Sequence, residues 1–504
     1  MNWDYCDVEN IKDKEEVLLG YEDRMIREAK DKELMSWKEN DVYEEVEDKG
    51  QKAITSKWVV TEKIKGDKKV CKARLVARGF EEEMKEWEKD APTCTAETLK
   101  LCLSIMGSKE WKCHTLDVKT AYLQGDNIER EVYVRPPKGE NNGVLWRLKK
   151  TVYGLKDAAK AWYLKVVKVV EELGGKKCTL EPKVFYWKQR DEFVGILCTH
   201  VDDFCFGGTE EFMKEVIGKM KEKLKVGEEE LGNFKYIGVM VRQDDRGIVL
   251  DQMKYLETVV EPEGRMYQGV RVLKERELTE YRSVTGQLNW VALHTMPELA
   301  YDVSDLSKGF KEGTTQDMRR LIRVVRKAKR SSPKVRLEKI EGKKAHWEVY
   351  ADASFGNVEE GQTQIGFVVA LTDGKKRCPI WWKSRKARRV AKSTIEAEAL
   401  SAGEAMEGAI YFNKLWEEIV GGRKLDIMVK TDSKTLMKAV KSSTGVSSKR
   451  LKIDIAAMRE AMEKGEVSEV EWIPKEQQVA DLLTKQGVSG ELIREYVGGD
   501  RNRQ

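Results

Sequence analysis

The sequence predicts a mixed α/β (α+β) protein of several domains, and three observations carry that expectation. At 504 residues and 40% hydrophobic content, the chain is too long for one compact core and apolar enough to fill several. Short runs of alternating β-branched and aromatic residues recur between segments whose apolar residues fall at helical spacing. Carboxylates stand at the ends of such elements in two separate parts of the chain. Asp117, Asp202 and Asp203 lie in the first half, and Asp352, Glu398, Asp432 and Asp481 in the last third.

Charged residues make up 36% of the chain yet leave a net charge of only +5, so local basic clusters must carry any argument for nucleic acid. Nine scattered cysteines without a Cys-x-x-Cys pair read as reduced, intracellular thiols, against a disulfide framework or a zinc site. Four histidines leave little room for a His-based metal site. No signal peptide or membrane-spanning apolar run is visible, so a soluble protein without a membrane partner is expected.

Residues 1–50 are charge-dense and helical in flavour, with Met25, Ile26, Ala29, Leu34, Met35 and Trp37 as the apolar content. Two alternating strands around Gly66-Asp67 predict a hairpin over 54–80. Its second strand carries Lys72, Arg74 and Arg78 at even spacing on one face, which either grips phosphates or is simply solvated. A helix is expected over Ala96 to Ser108, then a strand ending at Asp117, which either holds a metal or caps a helix. Short strands at 132–134 and 144–148 precede a basic, glycine-marked segment that starts a helix reaching Val170. The stretch from Phe193 to Gly208 predicts a tight β-hairpin with Asp202 and Asp203 at its turn. Adjacent carboxylates between apolar strands repel each other, a conflict that Mg²⁺ would remove; ordinary turn chemistry is the plainer alternative.

Beyond it, Glu210 to Val226 predicts an amphipathic helix, and 234–241 with 247–250 a hairpin around Asp245-Arg246-Gly247. Residues 275–335 are expected to be helical, ending in the basic run from Arg319 to Arg330. Apolar residues at 321, 322, 324, 325 and 328 put those charges on the opposite face, as a nucleic-acid backbone would require. Ser331-Ser332-Pro333 and the charged 334–344 stretch read as a linker, so 340–504 is expected to fold alone. The last third has the element order βββαβαβα, with an acid at four of its element ends; capping and solvation would have to explain all four independently.

Three segments in order and spacing resemble the reverse transcriptase of copia-type LTR retrotransposons: Leu116 to Gly125, Val152 to Lys156, and Val201-Asp202-Asp203. Lys72 to Phe80, Glu131 to Val134 and Tyr281 to Gly286 are also similar, and the resemblance covers roughly residues 22–497. The last third resembles a ribonuclease H domain. The resemblance implies a right-hand polymerase of palm, fingers and thumb followed by a ribonuclease H-like mixed-sheet α/β domain. Its divisions would be 1–50 as a charged N-terminal helical extension, 51–265 as fingers and palm, 266–338 as thumb and connection helices, and 339–504 as the ribonuclease H-like domain.

The implied function is RNA-directed DNA polymerase with ribonuclease H activity, using an RNA template, a DNA primer, an RNA–DNA hybrid and deoxynucleoside triphosphates. The other reading kept open is an inactive retroelement remnant that only binds nucleic acid. Two Mg²⁺ (or Mn²⁺) ions per site are implied, held by Asp117 and Asp202 with Asp203 in support, and by Asp352, Glu398, Asp432 and Asp481. Lys72 and Arg74 would take the incoming triphosphate, and Tyr122 would lie under its sugar and exclude a 2′-hydroxyl. Gly154 and Lys156 would meet the substrate, with Gly154 letting the backbone pass close to the template–nucleotide pair. His200, Asp157, Ala159, Ser354 and Lys452 depart from the family's usual residues, and none removes a predicted metal ligand. With the family's protease, integrase and gag motifs missing, the chain reads as the C-terminal part of such a polyprotein or a gene model beginning inside one. An intracellular location is expected, in the cytoplasm or a virus-like particle, with a nuclear phase left open.

Overall fold

The computed structural model describes residues 23–65, 68–82, 94–137, 143–263, 267, 269–358, 362–442 and 448–498. The predicted Gly66-Asp67 turn and residues 1–22 of the predicted extension lie outside the described residues.

The charged helix Asp23–Glu39 docks on the body of the protein. Its Trp37 is fully buried and meets Trp146 and Tyr43 at ring-centroid distances of 5.9 and 6.2 Å. Glu33 reaches under the strand Lys68–Ala77 and accepts the Leu75 N–H at 3.3 Å. Tyr43–Glu47 then joins a four-stranded sheet with Val144–Leu148, Tyr133–Val134 and Ala53–Ile54. The boundary expected at residue 50 therefore cuts through one sheet. Within the charge-dense segment expected to be helical, Tyr43–Glu47 is a strand, and its three glutamates are exposed.

The central sheet is antiparallel, in the order Val226–Leu231, His114–Val118, Asp203–Gly208, Glu192–His200, Val184–Gln189, Lys176–Lys177. Strand alternation divides its side chains between two cores. Ile196, Cys198 and Cys205 pack toward the helix Ala96–Ser108, whereas Leu197, Phe204 and Phe206 pack toward the helix Ala158–Glu172. Fixed from both sides, the acid-bearing hairpin has its register set by burial.

The run 234–241 is not one strand. Ile237 (φ 47°) and Gly238 (φ 73°) turn the chain sharply, so Asn233–Tyr236 pairs back on Val239–Asp244, which in turn pairs with Gly247–Asp251. Residues 275–335 divide into helices Glu275–His294, Ala300–Leu306 and Thr315–Arg330. Leu321, Ile322, Val324, Val325 and Ala328 are buried as the spacing predicts. The opposite face is partly neutralised within the protein. Arg320 pairs with Asp305, Arg326 with Glu261 (2.6 Å) and Lys327 with Asp302 (2.7 Å), while Arg319 donates to the Tyr267 carbonyl (2.8 Å). The acids missing from the run Arg319 to Arg330 come from neighbouring segments, which a pattern in one dimension does not show.

The predicted linker is structural. Lys334–Glu338 pairs antiparallel with Gly247–Asp251 as the fourth strand of that sheet. One apolar core then runs from the helix Ala96–Ser108 into the last sheet, ordered Arg377–Lys386, Gln362–Thr372, His346–Val358, Asp426–Thr431, Glu469–Trp472. At this junction Lys100, 1% exposed, donates to the Leu293 carbonyl (2.8 Å) and lies 3.5 Å from the Trp382 ring centroid. Trp382 Nε1 donates to the Ala292 carbonyl at 2.7 Å. An isolated 340–504 piece would expose this shared core, so independent folding is no longer expected. No helix among the described residues is long and apolar enough to cross a membrane.

Candidate active sites

The hairpin acids meet Asp117 through strand pairing. Asp203 is directly opposite Asp117 across the ladder, and Val118 N–H donates to the Asp202 carbonyl at 2.8 Å. Val201 occupies the left-handed region (φ 56°), a costly conformation for a β-branched residue. The buried Trp162 holds it there, its Nε1 donating to the Val201 carbonyl at 2.6 Å. Next to the pair, Gly227 runs so close that a Cβ would stand 3.0 Å from the Asp117 carboxylate, leaving that side chain room in front of the sheet. Asp117 is exposed and Asp202 half-buried. Burial raises the Asp202 carboxyl above its ordinary range, the Asp117 charge adds to this, and Arg74 and Lys72 oppose it.

Arg74 and Lys72 thus face the hairpin acids from the strand Lys68–Ala77 of another sheet. The Arg74 guanidinium lies 5.1 Å from the Tyr153 ring centroid, and Tyr153 meets Tyr122 edge-on at 5.0 Å. Tyr122 sits on the short helix Ala121–Gln124 that follows Asp117, entered through Thr120 at φ 47°. Gly154 (φ 93°) abuts protein backbone: a Cβ there would lie 2.0 Å from the Ala77 carbonyl. Lys156 donates to the Glu82 carbonyl at 3.2 Å, so both residues have protein partners where substrate contact was expected. Asp157, one of the departures, is buried and receives Arg130 Nη2 at 2.9 Å.

The second constellation is tighter. Asp352 on the strand His346–Val358, Glu398 on the helix Thr394–Val420 and Asp432 after the strand Asp426–Thr431 each bring one oxygen within 4.8 Å of the others. They are the only such group of three among the described residues. Parallel pairing with Tyr350 opposite Lys430 brings Asp352 level with Asp432, which follows its strand, and Ser393 caps the helix that presents Glu398. Asp352 is 1% and Glu398 6% exposed. Burial raises both carboxyls well above their ordinary range, each opposed by Lys485 and reinforced by neighbouring acids. Glu398 Oε2 is buried without a hydrogen-bond partner. Hard oxygen donors, converging charge and an orphaned carboxylate oxygen fit a divalent ion such as Mg²⁺ or Mn²⁺.

Asp481 stands outside that group of three. It opens the short helix Asp481–Leu483 and ion-pairs with Lys485, although its charge still reaches Asp352. Reading the sequence for acids passed over Lys485, Thr484, Trp162 and Tyr153. Lys485 and Thr484 follow Asp481 within four residues, a helical spacing that could have flagged them; nothing local flags Trp162.

Residues 40–267 match the family described as reverse transcriptase (RNA-dependent DNA polymerase). The chain is 27% identical to a retrovirus-related Pol polyprotein from transposon TNT 1-94 of Nicotiana tabacum, over 97% of this chain and 39% of that one. It is 26% identical to the one from transposon RE2 of Arabidopsis thaliana, over 68% of this chain and 25% of that one. With the Ty1-DR6 Gag-Pol polyprotein of Saccharomyces cerevisiae it shares 24%, over 94% of this chain and 28% of that one. The chain thus spans about two fifths or less of these relatives. Among solved structures, a foamy viral protease-reverse transcriptase with double-stranded DNA superposes with a TM-score of 0.58 at 13% identity, covering 90% of this chain and 70% of that one. The same kind of protein with an RNA/DNA hybrid gives 0.51 at 13% identity, covering 93% and 63%. These likenesses show the fold, in agreement with the mixed α/β architecture expected.

Proposed function

Since residues 40–267 match the reverse transcriptase family, within a chain similar to retrovirus-related Pol polyproteins of transposons, we propose that this protein copies RNA into DNA at Asp117 and Asp202 and cleaves the RNA of the resulting hybrid at Asp352, Glu398, Asp432 and Asp481. The observation that carries the first activity is the pairing of Asp203 with Asp117, which gathers three acids at one turn facing two cations. Asp117 and Asp202 would hold two divalent ions, Mg²⁺ or Mn²⁺, which when bound supply an activated primer 3′-hydroxyl and charge neutralisation at the triphosphate. Asp203 braces the turn. Arg74 offers a planar fork to phosphate and Lys72 a point charge, both near enough to lower the Asp202 carboxyl. Tyr122, steadied by Tyr153, supports the incoming sugar from below and rejects a 2′-hydroxyl.

In the last domain Asp352, Glu398, Asp432 and Asp481 would hold ions that supply an activated water for hydrolysis, and hybrid binding would direct the cut to the RNA strand through its 2′-hydroxyls. The partners on this reading are RNA template, DNA primer, hybrid and deoxynucleoside triphosphates. Solved relatives of the fold in complex with double-stranded DNA and with RNA/DNA hybrid support nucleic acid as the ligand class. Primer extension on an RNA template, run beside an Asp202→Asn control, tests the proposal. Extension that vanishes in the control supports it; binding without extension by the unaltered chain would leave an inactive remnant.

A further inference from the structure

The turn that carries Asp481 also carries a cation. Lys485 ion-pairs with Asp481 and lies 3.3 Å from Asp352 Oδ2, and the Thr484 hydroxyl donates to that same oxygen. The turn is pressed onto the sheet. A Cβ on Gly366 would stand 2.6 Å from Leu483 Cβ and 2.8 Å from Thr484 Cγ2, and Ser384 donates to the Leu483 carbonyl at 2.5 Å. The Lys485 ammonium is therefore shared by two carboxylates on a turn pinned from two strands, and its side chain is only 28% exposed. A solvated surface lysine would keep its freedom of rotation instead.

We propose that Lys485 is a resident cation of this site, a positioning residue that holds Asp352 and Asp481 together and competes with a divalent ion for them. The inference rests on reading the acids as a metal centre. Asp352, Glu398 and Asp432 then accept one ion readily, while the side shared by Asp352 and Asp481 accepts a second only when the ammonium moves aside. The charge count gives the reason. Four carboxylates carry one internal positive charge, and removing it both adds a net negative charge and frees two oxygens that suit a hard cation.

Mn²⁺ binding to the full chain without nucleic acid tests this, in an Asp202→Asn background that silences the hairpin site. Unmodified Lys485 should give one tight and one weak ion at this site. Lys485→Gln should tighten the weak one about tenfold or more, and Lys485→Arg should not. Equal isotherms for Lys485 and Lys485→Gln, with Glu398→Gln still abolishing tight binding, would overturn the role of Lys485 alone. Tight binding that survives Glu398→Gln would instead overturn the metal-centre reading. A second measurement needs no substitution at Lys485: its acylation rate, followed by mass spectrometry, should rise as the second ion loads, and a flat rate through saturation counts against the proposal.

Discussion

The two acidic sites place similar side chains in opposite surroundings. Asp117 is exposed and Asp202 sits on a strained turn, and the cations facing them come from a hairpin of a different sheet. Asp352 and Glu398 are buried, held by a strand and a long helix of one sheet-based domain, with Lys485 already among them. Water can stabilise the first set of charges until a substrate arrives. The second set has little water, so its like charges oppose one another inside the fold until a cation compensates them. On the proposed function, the open site would take a duplex and a nucleotide that must move after each step, and the closed one would make a single repeated cut.

The largest effect should separate the sites outright. Asp117→Asn or Asp202→Asn should lower primer extension by about 10³-fold or more while hybrid cleavage persists, and Glu398→Gln or Asp432→Asn should do the reverse. Either change abolishing both activities would merge the two sites into one. Next in size is sugar selection at the open site. Tyr122→Val should narrow the preference for deoxynucleotides over ribonucleotides by roughly 10- to 100-fold, read from paired incorporation rates; an unchanged ratio would assign the ring to packing against Tyr153.

Stability sharpens the contrast further. Without divalent ions and at alkaline pH, where the Glu398 carboxyl has lost its proton, Glu398→Gln should stabilise the fold by about 1–3 kcal/mol in denaturant titration, because an uncompensated buried charge is removed. Asp117→Asn, at an exposed position, should stay within about 0.5 kcal/mol. Loss of stability in Glu398→Gln would mean that its carboxylate is already compensated. The same contrast extends to pH. The Glu398 carboxyl is raised to about 9 in the fold by burial and by Asp352 and Asp432. The folded state therefore keeps protons that the unfolded chain has released, so this contribution is full below the ordinary carboxylate range and is lost as pH rises toward 9. Melting of the metal-free protein should show that decline, and Mg²⁺ should flatten it; a metal-free curve that does not fall would contradict the burial argument.

Much of the protein was legible in the order of its residues. Alternation in Phe193 to Gly208 marked the hairpin, helical spacing marked Ala96–Ser108 and the basic run Arg319 to Arg330, and acids at element ends marked both sites. These are local signals, because the side-chain period and the neighbouring turn residues are written in consecutive positions. Distance along the chain hid the rest. Asp203 faces Asp117 only because a ladder joins strands 86 residues apart, 203 minus 117. The acids that neutralise the basic helix, Asp302, Asp305 and Glu261, lie outside it, and Lys334–Glu338 looked like linker until it paired with Gly247–Asp251. Burial decided the electrostatics. Nothing in the sequence sets Asp352 and Glu398 apart from an exposed acid such as Asp117; the surrounding core alone withdraws their water and brings Lys485 to them, and desolvation is a property of packing.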